Sequence, residues 1–147
     1  MFKTILVPTD GSPLADQAIK AAIEFAQSNG GKIVGLSVAE PYPYAPLTDG
    51  TVTVDAHGYE AKMREMAQTH VQKIADAATA ANVPCETCVR QSFSPYEEII
   101  SVANEYQCEI IFMSSHGRKG LTRLFVGSET QKVLAHSTIP VLVFRRD

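Results

Sequence analysis

Residues 114–131, with the sequence SSHGRKGLTRLFVGSETQ, bring glycines and basic side chains together just before a predicted helix. Glycine lets backbone N–H groups approach an anion closely, and the N-terminus of a helix presents unpaired N–H groups at its positive end. The pattern therefore fits a phosphate cradle. It also fits a simpler arrangement, in which Ser128 and Gln131 form a capping box and the glycines only shape turns.

Asp10 is a second residue with chemical potential, because it follows the first predicted strand in the run ILVPTDGS. In an open α/β sheet, ligands bind beyond the carboxyl ends of the strands, where the strand order reverses. Strands one and four would be neighbours at that point, so Asp10 would face the 114–131 stretch, which favours the cradle. A contact with a bound ligand is one role for the Asp10 carboxylate at this edge. The alternative is an Asx turn that shapes the loop.

The strands and helices that must position these residues follow from the period of the apolar side chains. Strands are predicted within KTILVP, KIVGLSVAE, PCETCVRQ, CEIIFMSS and IPVLVFR, and helices over 13–29, about 59–81, from 95 onward and about 128–136. Ser12 with Pro13 marks one helix start, and Ser94 with Glu97 marks another as a capping box. The alternation predicts a doubly wound, Rossmann-like α/β fold. We expect a five-stranded parallel sheet of order 3-2-1-4-5 with helices on both faces.

The composition is that of one soluble globular domain spanning residues 1–147. A net charge of −3 excludes a broad basic surface for nucleic acid, so any anion site must be local. The N-terminal apolar run ends at Pro8 and is too short for a signal peptide or a membrane span, which makes the cytoplasm the expected location and a membrane partner unexpected.

Several familiar kinds of site are absent from the sequence. The Gly-Lys-Ser/Thr of a Walker loop does not occur, and Gly11 alone follows the first strand where a dinucleotide fingerprint needs three glycines. Cys85 and Cys88 are an odd number of residues apart on a predicted strand and would point to opposite faces, which disfavours a metal or redox pair. No catalytic constellation accompanies Ser128, so no catalytic residue is predicted.

Three segments together, ILVPTDGS, SHGRKGLTRLFVGS and PVLVFR, resemble the universal stress protein family over essentially the whole chain. Nucleotide-binding members of that family carry G-x2-G-x9-G-S/T. In this sequence the later elements are Gly117, Gly127 and Ser128, whereas Ser114 stands where the family has its first glycine. Serine keeps a backbone N–H and adds a hydroxyl, but it resists positive φ more than glycine does. The resemblance implies ATP as the ligand. Asp10 would then contact Mg²⁺ or accept a hydrogen bond from the sugar, since a carboxylate repels phosphate.

The resemblance also implies which residues surround the nucleotide. Asp10 would lie beside it, the Val38 backbone would meet adenine, and Gly117 would approach the ribose and phosphates. The full set implied is Pro8, Thr9, Asp10, Val38, Ser114, His116, Gly117, Arg118, Gly127, Ser128, Glu129 and Thr130.

Several residues of that set have a second interpretation. The negative charge of Glu129 would compete with a phosphate, and three basic residues could offset it: Arg118, Lys119 and Arg123. These three are equally well explained as solvated charges of a surface loop. His116 could contact the ligand or serve only the turn. The long segment 41–58 leaves the same edge of the sheet and would be either a lid or a surface loop.

Three functions remain in competition. The first is a stress-response protein whose ATP is a structural or signalling ligand, hydrolysed slowly at most. The second is a dimeric interaction module of the same fold that binds no nucleotide. The third, an adenylating or hydrolytic enzyme, is disfavoured because the Ser-Gly-Gly loop expected of some such enzymes is missing after the first strand.

The final strand predicts a homodimer. VLVF is apolar and would form an unprotected edge of the sheet. The resemblance implies antiparallel pairing of this strand between two subunits through Val141, Leu142 and Val143.

Overall fold

The computed structural model describes residues 1–43, 55–116 and 127–145. Strands and helices alternate through these residues as predicted. The strands are β1 (Thr4–Pro8), β2 (Lys32–Ala39), β3 (Cys85–Gln91), β4 (Ile110–Ser114) and β5 (Val141–Phe144). The helices are α1 (Pro13–Asn29), α2 (Ala56–Ala80), α3 (Pro95–Glu105) and α4 (Ser128–His136).

The five strands form one parallel sheet in the order β3-β2-β1-β4-β5, which confirms the predicted order. The central strand β1 pairs with β2 along its whole length, from Thr4 against Lys32 to Pro8 against Leu36. Its pairing with β4 ends at Leu6 against Ile111. Beyond that level β1 remains with β2 and is no longer paired with β4.

Apolar side chains cover both faces of the sheet and divide the core into two layers. One layer packs Ile5 and Val7 of β1 against α1 and α2, through residues such as Ile19 and Ile74. The other layer lies on the opposite face of the sheet. It packs Leu6 of β1, and the residues of the neighbouring strands on that face, against α3 and α4. Burial on both faces explains the nearly unbroken apolar runs of the central strands.

The helix starts show which local signals hold. Ser12 caps α1, because its hydroxyl accepts a hydrogen bond from the Ala15 N–H at 3.2 Å. The capping box predicted at Ser94 and Glu97 is wrong: Ser94 occupies the cap position, but its side chain makes no capping hydrogen bond. Helix α2 begins at Ala56, three residues before the predicted start, with the Asp55 carboxylate capping it through the Gly58 N–H.

The cysteines lie as the sequence predicted, with Cys85 against one core layer and Cys88 against the other. All three cysteines are free thiols. Burial raises the pKa of the Cys85 thiol and raises that of Cys108 to about 11. These two thiols are therefore protonated packing residues at neutral pH. In the described part of the chain, no helix has the length and apolar character needed to cross a bilayer.

Candidate functional site

Strands β1 and β4 part at the carboxyl edge of the sheet. The two strands continue to Pro8 and Ser114, although their pairing stops at Leu6 and Ile111. Separation of adjacent strands at the point where the strand order reverses is the geometry in which α/β proteins bind ligands. The described parts of the two segments singled out in the sequence, up to His116 and from Gly127, therefore lie at this strand separation, where a ligand crevice is expected.

The turn that follows β1 is held by its own polar groups. Thr9 is buried, and its N–H donates to the Leu36 carbonyl at 2.8 Å. The Thr9 hydroxyl accepts the Gly11 N–H at 3.1 Å, and Asp10 Oδ1 accepts the Ser12 N–H at 2.9 Å. Asp10 therefore makes the Asx turn that was the alternative to a ligand role, and it does so at the edge of the crevice.

The end of β4 fixes Ser114 and His116. The Ser114 hydroxyl donates to the His116 carbonyl at 3.1 Å, and the fully buried Ser115 hydroxyl lies 3.0 Å from His116 Nδ1. Among the described residues, the non-glycine positions with positive φ are Phe2, Asn82 and Gln107, so Ser114 is not strained. A glycine is consequently not required at position 114 by the backbone. Ser115, which the sequence analysis did not single out, orients the imidazole.

Helix α4 starts in direct contact with the end of β4. The Gly127 N–H donates to the Ser115 carbonyl at 2.5 Å. A methyl group added at Gly127 would lie 2.8 Å from that carbonyl oxygen and 3.4 Å from His116 Cα. Gly127 is the cap residue of α4 and Ser128 is its first residue, so the alternative capping box of Ser128 and Gln131 is wrong. The glycine lets the helix N-terminus come this close to the crevice.

Thr130 and Ser128 differ sharply in exposure. Thr130 is 4% exposed and its hydroxyl donates to the Ser114 carbonyl at 2.9 Å, which ties the first turn of α4 to β4. Ser128 is exposed and carries its hydroxyl at the beginning of the helix. The proton of the Thr130 hydroxyl is thus used inside the protein, whereas Ser128 presents its side chain at the surface.

Glu129 caps a different helix. Its Oε2 accepts the Tyr96 N–H in the first turn of α3 at 2.9 Å, and its Oε1 lies 3.4 Å from Lys132 Nζ. The Glu129 carboxylate supplies the capping contact that the Ser94 side chain does not make, and it meets the positive end of the α3 dipole. Its charge is therefore paired within the protein rather than presented alone to the crevice.

Tyr96 gathers several groups around this contact. The centroid of its ring lies 5.4 Å from the centroid of the His136 ring and 5.5 Å from Lys132 Nζ. Burial is the main cause that raises the pKa of Tyr96, and the hydrogen bond from its phenol to Glu97 raises the pKa further. Helices α3 and α4 are joined by these contacts next to the crevice.

Other expected site residues fall at the edge or outside the description. Pro8 and Val38 are half-buried near the carboxyl ends of β1 and β2, so they border the same edge. Gly117 and Arg118 lie outside the described residues, as do Lys119, Arg123 and most of the 41–58 segment. In the described ranges, no three His, Cys, Asp or Glu side chains are grouped as a metal site. Asp10 is the carboxylate at the crevice that could contact a ligand-borne cation.

The arrangement can bind an anion at the start of α4. The first turn of a helix has N–H groups without helical partners and carries the positive end of the dipole. No side chain caps α4 among the described residues.

Comparison with known proteins agrees with this architecture, because residues 1–145 match the universal stress protein family. The chain belongs to this family. A universal stress protein of Thermus aquaticus, from the 3′ region of a QAH/OAS sulfhydrylase, is 30% identical over 148 residues, covering 99% of this chain and 100% of that protein.

Solved structures show the same universal stress protein fold. The structure of MJ0577 from Methanocaldococcus jannaschii, used for structure-based assignment of biochemical function, has a TM-score of 0.83 and 28% identity. The alignment covers 100% of this chain and 98% of that one. A universal stress protein from Archaeoglobus fulgidus in complex with dAMP has a TM-score of 0.63 and 22% identity, covers 99% and 100%, and is a likeness of fold alone.

Proposed function

We propose that this universal stress protein binds an adenine nucleotide, ATP, as a structural or signalling ligand of the stress response. The observation that carries the proposal is the separation of β1 and β4 at the carboxyl edge of the sheet, where the turn with Asp10 follows β1 and the N-terminus of α4 contacts the end of β4. The dAMP complex of the A. fulgidus protein, which has the same fold, supports the choice of an adenine nucleotide.

The phosphates would lie at the start of α4. The contact between Gly127 and the Ser115 carbonyl leaves no room for a side chain and sets the backbone N–H groups of the first turn close to the end of β4. The exposed Ser128 hydroxyl would add a donor to phosphate. Thr130 would act by holding α4 against Ser114, since its hydroxyl proton is donated to that carbonyl.

The sugar and base would extend toward β1 and β2. Asp10 would accept from the ribose or contact a nucleotide-borne Mg²⁺, and the Val38 backbone at the end of β2 would meet adenine, with Pro8 and Thr9 beside them. Ser114 would retain a role through its backbone, because its hydroxyl already donates to His116. His116 would border the phosphates together with Gly117 and Arg118.

A binding role is favoured over rapid turnover by the bonds that Asp10 and His116 already make. Asp10 Oδ1 accepts the Ser12 N–H, and His116 Nδ1 pairs with the Ser115 hydroxyl. These bonds give both groups a role in holding their own loops, and the sequence shows no catalytic constellation at Ser128, so we place hydrolysis at slow at most.

The proposal is tested with protein purified without added nucleotide. Native mass spectrometry is expected to show a mass increment that matches an adenine nucleotide, and denaturation should release it. Mg-ATP added to nucleotide-free protein is expected to raise the melting temperature, because ligand binding stabilises the folded state. Absence of both the increment and the thermal shift would favour the nucleotide-independent interaction module.

Glu129 provides a prediction with opposite effects on binding and stability. Glu129→Gln keeps an oxygen for the Tyr96 N–H but removes a negative charge beside the phosphates. ATP affinity is expected to rise several-fold at low salt and less at high salt. The free energy of unfolding should fall by about 0.3–1 kcal/mol, since the charge at the α3 N-terminus is lost.

Calorimetric titration at two salt concentrations and urea unfolding would measure the two effects of Glu129→Gln. Glu129→Ala is the matched comparison, because it removes the capping acceptor as well and should cost about 1 kcal/mol. A weaker affinity for ATP in Glu129→Gln would contradict the prediction and would place the carboxylate in contact with the ligand.

We also propose a homodimer through β5, which holds Val141, Leu142 and Val143. The two edge strands differ in protection: β3 carries Glu86 and Arg90, whereas β5 is apolar throughout, and Leu142 is 39% exposed. Unprotected apolar edges favour pairing with another strand, and charged edges oppose it. The three free thiols are consistent with action in a reducing compartment, the cytoplasm.

A further inference from the structure

One contact joins helix α2 to the crevice through the turn that carries Asp10. His70 lies three residues after Ala67 and four before Ile74, both buried, so it stands on the core-facing stripe of α2. Its half-buried side chain extends from this stripe to Gly11.

The geometry of the contact is specific. A methyl group added at Gly11 would lie 2.3 Å from His70 Nε2 and 2.8 Å from each of the two carbons bonded to that nitrogen. Equal distances to both carbons mean that the imidazole meets Gly11 with its Nε2 tip. Gly11 also has φ +79, in the left-handed region that favours glycine.

Gly11 lies between the residue proposed to contact the ligand and the residue that caps α1. Asp10 precedes it, and Ser12, the cap of α1, follows it. The hydrogen bonds to the Thr9 hydroxyl and to Asp10 Oδ1 hold the turn from within, while the His70 tip closes the side that faces α2. A displacement of Gly11 toward α2 would rotate the Asp10 carboxylate with it.

We propose that His70 is a positioning residue of the nucleotide site, which acts through Gly11 to orient the Asp10 carboxylate toward the ribose or its associated Mg²⁺. The inference rests on the proposed nucleotide function. It differs from simple core packing in what it predicts: loss of the imidazole changes how the site discriminates between ligands, and not only how stable the protein is.

The test compares Kd values for ATP and 2′-deoxyATP, each with and without Mg²⁺, in wild type, Asp10→Asn, His70→Ala and Val71→Ala. Two ratios of Kd values are compared: 2′-deoxyATP over ATP, and each nucleotide without Mg²⁺ over the same nucleotide with Mg²⁺. Asp10→Asn identifies which of these ratios depends on the carboxylate. His70→Ala is expected to change the same ratio in the same direction by a factor of about three or more. Val71→Ala is the matched control, since Val71 is a fully buried neighbour on α2 whose truncation lowers stability. Its ratio should equal that of wild type.

A second measurement uses unfolding without ligand. Gly11→Ala is expected to lower stability mainly through the φ strain, with a smaller cost from displacing the His70 imidazole, and His70→Ala in the same chain should remove only that smaller cost. The two substitutions should therefore be less damaging together than the sum of their separate effects.

The outcomes separate the two proposals. No nucleotide binding by wild type overturns the proposed function and this inference with it. Binding by wild type and a changed ratio in Asp10→Asn, together with an unchanged ratio in His70→Ala or additive effects of Gly11→Ala and His70→Ala, overturns the positioning role alone. An unchanged ratio in Asp10→Asn overturns the positioning role and the proposed Asp10 contact, while nucleotide binding itself stands.

Discussion

Val143→Pro is expected to convert the proposed homodimer into a folded monomer. The carbonyls of Pro140 and Phe144 accept N–H groups from Ile111 and Ser115 of the β4 segment. Backbone groups alternate in direction along a strand, so Leu142 also faces β4, while Val141 and Val143 direct their N–H groups to the open edge. Proline at Val143 removes an outward N–H and leaves the ladder to β4 intact.

The effect should be large because a two-fold interface contains each substitution twice. Two lost hydrogen bonds at about 1 kcal/mol each would raise the dimer Kd by roughly 30-fold or more, before the clash of the proline rings is included. Sedimentation across the micromolar range measures the change, and circular dichroism checks that the monomer is folded.

Thr87→Pro supplies the matched control for the dimer. Pro84 and Ser92 bond to β2, so the same alternation directs the Thr87 N–H away from β2 at the opposite edge of the sheet. This variant should remain dimeric. A dimeric Val143→Pro, or a monomeric Thr87→Pro, would show that β5 is not the interface.

Gly127→Ala is expected to lower both the stability of the protein and its affinity for ATP. At φ −58 an alanine fits the backbone, and on that ground alone the substitution would stabilise by about 0.4–1 kcal/mol. The contact decides the sign, because the added methyl would lie 2.8 Å from the Ser115 carbonyl oxygen. Neither this oxygen nor His116 Cα can rotate aside, so the start of α4 must move.

Overpacking of this kind costs about 1–3 kcal/mol, which urea unfolding without nucleotide would detect. Displacement of the helix start should also weaken ATP binding by roughly tenfold or more, measured by calorimetric titration. Ser128→Ala is the neighbouring control: it should leave stability nearly unchanged and weaken ATP binding by about fivefold through one lost hydroxyl contact. Unchanged ATP affinity in Gly127→Ala would exclude this helix start as the phosphate site.

Local patterns predicted the parts of the fold that depend on neighbouring residues. Ser12 followed by Pro13 marked the start of α1 because capping involves residues three positions apart. Ser94 also marked the start of α3, but the capping box predicted for Ser94 and Glu97 is wrong, since Glu129, 33 residues after Tyr96, takes the capping contact. No local spacing encodes a bond between residues so far apart.

The sequence by itself determined the order of strands and helices, the sheet they form, and the sheet edge at which β1 ends before Asp10 and β4 ends at Ser114. Apolar period, helix caps and the handedness of parallel crossovers are sufficient for these features. Only the tertiary structure decided the state of the two doubtful residues: Glu129 is paired with α3, and Ser114 needs no positive φ. Both depend on contacts between segments distant in the chain, as does the contact of His70 with Gly11.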